Sequence, residues 1–280
     1  MSEGRNPVKV GDIEVVALFD GTLESGLDKI PDPGHRARAE KLAAAAQGSP
    51  FTLEVYAFLV KFGERLALVD SGAGTLMGPR LGQLPAVLGA AGIEPRDIGH
   101  IFMTHLHRDH FGGLTDASGG AAFPNAEIVL HETEAAFWFA TDEALLPQRA
   151  QNNRPFAHRA TAPYRAAGRF RAVPDGGGLP GIEAMRSPGH TPGHTCWKIT
   201  SRGRTLLAWG DTIHVPAIHL FDPHIAMEYD LDAALAADSR AHILDLAARE
   251  EMLVAGAHLN APAIGRLVRE GGGYRLAPEA

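Results

Sequence analysis

The sequence predicts an α/β protein in which two β-sheets lie back to back with helices on the outside. Three observations carry this. Short β-rich runs alternate with helical patterns in each half of the chain, residues with metal-binding chemistry recur where those runs end, and the composition suits one large globular domain over residues 1–280. With 280 residues, 45% of them hydrophobic and 21% charged, the chain can bury a substantial core.

In the first half, strands are expected at Ile13 to Phe19, Thr52 to Phe62, Arg65 to Val69 and Ile101 to Thr104, where β-branched and aromatic residues concentrate. Alanine and leucine spacing from Gly82 to Ala91 predicts a helix between the last two. The second half repeats the character. A strand at Ile128 to Leu130 leads into a helix from Glu132 to Ala140, followed by strands near Phe170 to Val173, Ile182 to Met185, Thr195 to Thr200 and Thr205 to Trp209. The run Gly176-Gly177-Gly178 reads as a hairpin turn. A helix is expected from Asp232 to Arg249 and a last apolar strand from Met252 to Ala255. Two segments break the pattern, 22–50 with a helix-like run from His35 to Gln47, and 141–170 with scattered prolines, arginines and aromatics; each is a candidate covering segment or homodimer contact.

The net charge of -7 argues against nucleic acid or an anionic membrane as a partner, since phosphate electrostatics would repel such a chain. Arg159, Arg165, Arg169 and Arg171 form a local basic run, read as a solvated face. The lone Cys196 cannot make an intramolecular disulfide and is expected to be a small buried strand residue. Residues 1–12 lack the apolar stretch of a secretory signal and no run is long enough to span a bilayer, so a cytoplasmic location is expected.

The most informative segment is His105-Leu106-His107-Arg108-Asp109-His110, directly after the apolar Ile101-Phe102-Met103. Three imidazoles and a carboxylate in six residues are costly to gather unless a metal binds them. After a strand and a sharp loop, His105 and His107 point the same way while Asp109 and His110 turn to a neighbouring position, so two metal sites can begin from one loop. Three further groups follow strand ends: His190 and His194 in Ser187-Pro188-Gly189-His190-Thr191-Pro192-Gly193-His194, Asp211 in Gly210-Asp211-Thr212, and His258 in Ala255-Gly256-Ala257-His258. An aspartate at the end of a buried strand needs a cation or hydrogen-bond donors to offset its charge.

These motifs, in this order from Leu68-Val69-Asp70-Ser71-Gly72 to His258, resemble the metallo-β-lactamase superfamily. The resemblance implies a four-layer αβ/βα sandwich of two mixed β-sheets. By position it puts His105, His107 and His190 on a first metal, Asp109, His110 and His258 on a second, and Asp211 between them. His194 becomes a supporting residue and Asp70 a carboxylate behind the histidines. Nitrogen and carboxylate donors suit two divalent ions, with zinc expected and manganese, iron or cobalt compatible.

Two such ions can share a water, lower its pKa and direct the hydroxide at an electrophilic carbonyl or phosphorus, with Asp109 passing the proton to the leaving group. The segment 210–215 and the ending from Ala257 to Arg266 look most like the branch containing methyl parathion hydrolase and related lactonases, which implies lactone or carboxylic ester hydrolysis and, as a side activity, organophosphates. His214 stands where acyl-homoserine lactonases carry a substrate-contacting tyrosine, making it a candidate catalytic residue. Phe137-Trp138-Phe139, Phe156, Ile218, Leu220 and Phe221 are candidates to line a pocket for the apolar portion of a small-molecule substrate. The alternatives are a glyoxalase II-like thioester hydrolase and a persulfide dioxygenase with a single iron.

Overall fold

A computed structural model describes residues 7–46 and 49–279. Seven strands form a first sheet in chain order: β1 (Val8–Val10), β2 (Ile13–Glu24), β3 (Thr52–Phe62), β4 (Arg65–Val69), β5 (Ile98–Phe102), β6 (Glu127–His131) and β7 (Phe170–Val173). The pairings from β1 to β4 are antiparallel and those from β4 to β7 parallel. Parallel neighbours need crossovers. Helices α2 (Leu84–Ala90), α3 (Arg108–Phe111), α4 (Glu132–Phe139) and α5 (Gln148–Ala166) lie on these connections, while α1 (Pro33–Ala45) sits between β2 and β3.

The second sheet has the order β14-β13-β12-β11-β10-β9-β8, built from β8 (Gly178–Leu179), β9 (Ile182–Arg186), β10 (Thr195–Ser201), β11 (Arg204–Ala208), β12 (Leu253–Ala255), β13 (Ile264–Glu270) and β14 (Gly273–Pro278). Its one parallel pairing, β11 with β12, is bridged by the short α6 (Pro216–His219) and the long α7 (Ala233–Arg249). Both sheets are mixed, as the resemblance implied. Asp232 opens α7 by accepting the Leu235 N–H at 3.0 Å, and Asp32 opens α1 by accepting that of His35 at 2.8 Å with Pro33 in the first turn.

The inner faces of the sheets meet in one buried cluster that includes Phe102 and Val129 from the first and Trp197 and Leu206 from the second. The Phe102 and Trp197 rings are 4.8 Å apart, and the Trp197 indole donates to the Met103 carbonyl at 3.0 Å, tying the sheets together where the histidine loop begins. On the far side of the first sheet, Leu59, Leu68, Ile101 and Ile128 pack with Leu88 of α2, Trp138 of α4 and Ala157 and Tyr164 of α5. Ile243, Leu244 and Ala247 of α7 join the cluster of the second sheet. The result is the four-layer sandwich.

Strand direction positions the site. β4 and β5 run parallel, and the two antiparallel steps from β9 through β10 to β11 leave β9, β11 and β12 running one way. Their C-terminal ends therefore deliver the loops that begin at Asp70, Met103, Ser187, Trp209 and Gly256 to a common edge.

Two expectations are corrected. The glycine run at 176–178 is not a hairpin turn between its flanking strands, because β7 belongs to the first sheet and β9 to the second; the hairpin turns at Pro180-Gly181, between β8 and β9. The segment 141–170 is mostly α5, with Pro155 and Pro163 inside the helix. In the segment 22–50, α1 ends at Ala45, and Gln47 of the expected run lies outside the described residues. Among the described residues, no helix is long and apolar enough to cross a membrane.

Candidate metal centre

The loop after β5 turns immediately into α3, whose N-cap is His107. His105 and His107 are thereby set at right angles, their ring centroids 4.7 Å apart, and His190 joins from the loop after β9, 4.7 Å from each. His190 Nε2 lies 2.9 Å from His107 Nδ1 and 3.2 Å from His105 Nε2. Three ring nitrogens thus converge on one point. A second group forms beside it: His110 Nε2 and His258 Nε2 lie 3.5 and 3.4 Å from Asp109 Oδ2.

Asp211 stands between the groups and divides its oxygens. Oδ2 faces His190 at 3.2 Å and His105 at 3.7 Å, while Oδ1 faces His110 at 3.0 Å and His258 at 3.3 Å. Gly210 lets it do so: φ is +50° there, and a Cβ would come within 2.8 Å of His194 Nε2 and Thr104 Cβ. The seven residues singled out as donors are therefore assembled as two groups that share Asp211, with donor atoms within 4.8 Å of one another in each.

Four of these five rings are held from behind. His110 Nδ1 is 2.8 Å from Asp70 Oδ2, which also accepts the Thr104 hydroxyl at 2.8 Å, and that hydroxyl is 3.0 Å from His105 Nδ1. His258 Nδ1 donates to the Glu54 carbonyl at 2.9 Å. His190 Nδ1 pairs with Asp230 at 3.0 Å, and Asp230 pairs with the buried Arg240 at 3.1 Å. These partners fix the tautomers and turn the inner nitrogens toward the centre. His194 serves the backbone instead. Its Nδ1 donates to the Ser187 carbonyl at 3.0 Å and its Nε2 accepts the Asp211 N–H at 3.0 Å.

Charge is unusually dense here. Burial, with neighbouring imidazoles, holds His105 and His107 well below their ordinary pKa. Burial also pushes down on His110, His190 and His258, but the aspartates outweigh it: His110 rises well above its ordinary value, His190 to about 9 and His258 to about 10. Asp109 and Asp211, pushed up by burial, are drawn well below the usual carboxylate range by His110 and its neighbours. His110 Nε2 and Asp211 Oδ1, buried and 3.0 Å apart, have no partner in hydrogen-bond geometry among the described residues. Ring nitrogens that face one another about a hydrogen-bond length apart, beside ionised carboxylates, are the donor set that a divalent cation satisfies once the raised rings give up their protons.

The centre floors a cavity of about 540 Å³. Its wall contains His214, 2% exposed and with both ring nitrogens lacking a hydrogen-bond partner, its Nε2 3.3 Å from Asp211 Oδ2. The apolar lining differs from expectation. It comes from Leu23, Leu53, Met77 and Tyr229. Trp138 packs instead in the core beneath the helices with Phe137, Phe139 and Phe156 half-buried against it, Ile218 lies in a separate small cluster, and Leu220 and Phe221 border another surface cavity. Leu23 and Lys29 reach the rim from the segment 22–50, and Arg149, Asn152 and Asn153 from α5.

Sequence reasoning did not single out three charged groups that organise the site. Glu134, fully buried in α4, accepts from Leu106 N at 2.8 Å, Trp138 Nε1 at 2.7 Å, Thr191 Oγ1 at 2.7 Å and Gly193 N at 3.1 Å, so it clamps the two histidine loops together. Asp230 and Arg240 are the others. None lies in a motif, and in sequence Glu134 and Arg240 look like the other charged residues of their helices.

The family model described as the metallo-beta-lactamase superfamily matches residues 51–258. The chain belongs to that superfamily. A solved structure described as hydrolase AbOPH in the beta lactamase superfamily is 31% identical with a TM-score of 0.90, covering 100% of this chain and 99% of that one. AidC, a dizinc quorum-quenching lactonase, is 26% identical with a TM-score of 0.88 over 99% and 98% of the two chains. An N-acyl homoserine lactonase of a Bacillus species is 30% identical over 112 residues, 39% of this chain and 35% of that relative. N-acyl homoserine lactonase AiiA of Bacillus thuringiensis subsp. kurstaki is 25% identical over 54% of this chain and 60% of its own length. The matches thus span a third to three fifths of those curated relatives. As a superfamily member with hydrolases for relatives, the chain is a metallo-hydrolase in class, and its paired donor groups suit two divalent metal ions.

Proposed function

We propose that this chain hydrolyses lactones and related carboxylic esters that have an apolar portion, with two zinc ions held by His105, His107 and His190 on one side, by Asp109, His110 and His258 on the other, and by Asp211 between them. The observation that carries the reading is the division of the two Asp211 oxygens between two donor groups at the floor of a cavity of about 540 Å³. Zinc fits imidazole and carboxylate donors. A thiolate is not among them: Cys196 lies in the core, where burial pushes its thiol up to about 12.

Bound ions of this kind supply Lewis acidity toward a carbonyl oxygen and bring the pKa of a water toward neutrality. The remaining work falls to the chain. Asp109, ionised and turned with Oδ2 toward His110 and His258, keeps Oδ1 to take a proton and deliver it to the departing alkoxide. His214, held neutral because burial lowers its pKa, has an N–H to give to the substrate's oxygen. Leu23, Leu53 and Met77 offer an acyl chain apolar lining, and Arg149 and Asn152, which line the same cavity, offer hydrogen-bond donors. Organophosphates are expected as slower substrates.

The test is elemental analysis of protein purified without added metal, followed by turnover of a panel of acyl-homoserine lactones, simple lactones, aryl esters, thioesters and organophosphates. Two zinc-like ions per chain and fastest turnover of a lactone are expected, with both activity and metal lost in His107→Ala. A metal-replete protein inert toward lactones and esters sinks the proposal. A single iron with oxygen consumption on a persulfide favours the dioxygenase reading instead.

Metal loading should also release protons. With His190 and His258 raised to about 9 and 10 in the metal-free site, and His110 raised as well, the expected state at neutral pH is one in which these rings must give up protons to become ligands. Apparent affinity should therefore climb from pH 6 to pH 9. Calorimetric titration with zinc in buffers of different ionisation enthalpy should register about two or more protons released per chain at neutral pH. The same raised values stabilise the metal-free fold fully below the unfolded histidine pKa of about 6.5, and that contribution fades as pH passes through 9 and 10. Proton uptake on loading, or affinity independent of pH, would contradict this charge state.

A further inference from the structure

We infer that His219 is a positioning residue for the hydrolysis: its buried imidazole fixes the backbone of His214 and so aims the His214 ring into the cavity. The inference rests on the lactonase reading and on the part given there to His214.

The geometry is specific. His219 is the last residue of α6, and its side chain folds back on the segment that enters that helix. Its Nδ1 accepts the N–H groups of both His214 and Val215, each at 3.2 Å. Two donors on Nδ1 place the ring's own proton on Nε2 and define the tautomer. The backbone completes the loop, because the Val215 carbonyl accepts the Ile218 N–H at 3.0 Å and that of His219 at 2.9 Å. Val215 is the N-cap of α6 and has no side-chain oxygen to offer. His219 thus ties the segment that enters the helix to the helix's last residue.

This arrangement matters for His214 because its ring makes one polar contact, to Asp211, and is otherwise held by packing. Among the described residues neither nitrogen has a partner in hydrogen-bond geometry, although Nε2 faces Asp211 Oδ2 at 3.3 Å, and the ring sits beside those of His190 at 4.8 Å, Tyr229 at 5.3 Å and His258 at 5.8 Å. Packing and the Asp211 contact confine the ring, while the direction of the Cα–Cβ bond that carries it follows from φ and ψ at residue 214, and the amide there is one of the two that His219 grips. His219 is 0% exposed and does not line the cavity, so it acts only through its neighbour. Removing the acceptor leaves two buried N–H groups unpaired, which the segment can relieve only by rotating.

Asparagine carries an acceptor close to the position of Nδ1, whereas leucine fills the space without one. A cycle of His214→Ala, His219→Leu, His219→Asn and His214→Ala with His219→Leu distinguishes aim from mere packing, with N-hexanoyl-homoserine lactone as the probe. Expected are two metal ions in every variant and a kcat/KM loss in His219→Leu of roughly tenfold to a hundredfold, carried by kcat. His219→Asn should regain most of it, and His219→Leu should cost less than about twofold more once His214 is already alanine. Nitrogen NMR of histidine-labelled protein should show one ring locked as the Nε2–H tautomer whose signals vanish in His219→Asn.

The inference is overturned if the two losses multiply independently, if asparagine serves no better than leucine, or if the leucine variant loses metal. Full activity of His214→Ala on a turned-over lactone removes the role of His214, and that of His219 with it, while the lactonase reading stands. Absence of lactone turnover in the wild type strikes that reading instead.

Discussion

Asp211→Asn is expected to bring the metal content from two ions per chain to one or fewer and to lower kcat/KM by on the order of a thousandfold, about 4 kcal/mol in transition-state terms. The reason is that the two carboxylate oxygens are not interchangeable spares. One faces His105 and His190 and the other His110 and His258, all within 3.0 to 3.7 Å. Asparagine preserves the shape but keeps one acceptor only, and its amide turns hydrogens toward whichever group lost its oxygen. It also removes the charge that offsets four rings. His190 is raised to about 9 by its Asp211 and Asp230 contacts against burial, so losing one of them should bring its pKa down in the metal-free protein. Elemental analysis, steady-state kinetics and proton NMR of the histidines check the three effects. A variant that keeps two ions and wild-type kcat/KM would show that Asp211 does not bridge.

The difference between what could and could not be read beforehand follows from where each residue's reason lies. His105, His107, Asp109 and His110 were legible because four donors in one short loop after an apolar strand have no economical explanation without a metal, and Asp211 and His258 because each follows a buried strand directly. Parallel strand direction then turns separate exits into one site, a fact of topology to which the alternation of strands and helices already pointed. Glu134, Asp230, Arg240 and His219 were not legible. Each is buried beside partners distant in sequence, or folds back on a local backbone that no periodicity describes. The aromatics at 137–139 misled for a similar reason: apolar rings suit a core as well as a pocket, and only packing decides which. α5 was hidden by Pro155 and Pro163, which interrupt a helical pattern in sequence although the helix continues past both.

The largest effect on stability is expected at a residue outside the candidate metal centre. Arg240 is 1% exposed, and its guanidinium is committed on every side: Nε to the Thr212 carbonyl at 2.7 Å, Nη1 to the Pro223 and Ile225 carbonyls at 2.7 and 3.1 Å, and Nη2 to Asp230 at 3.1 Å. It thus fastens α7 to the segment after Asp211 and to the loop carrying Asp230, which in turn orients His190. Burial raises the cost of the Asp230 charge, and His190 and Arg240 offset it and hold that carboxyl far below its usual range. Arg240→Leu removes one partner of a buried pair and strands three carbonyls, a loss of about 3–5 kcal/mol. For a chain of this size that corresponds to a fall in Tm of roughly 10 °C. Arg240→Lys keeps the charge but not the planar fork, so it should fall between leucine and wild type. Thermal melts of metal-free and zinc-loaded protein measure both variants. If the leucine variant melted within about 2 °C of wild type, a shift worth less than about 1 kcal/mol, the guanidinium would be a passenger and the orientation of His190 would have another source.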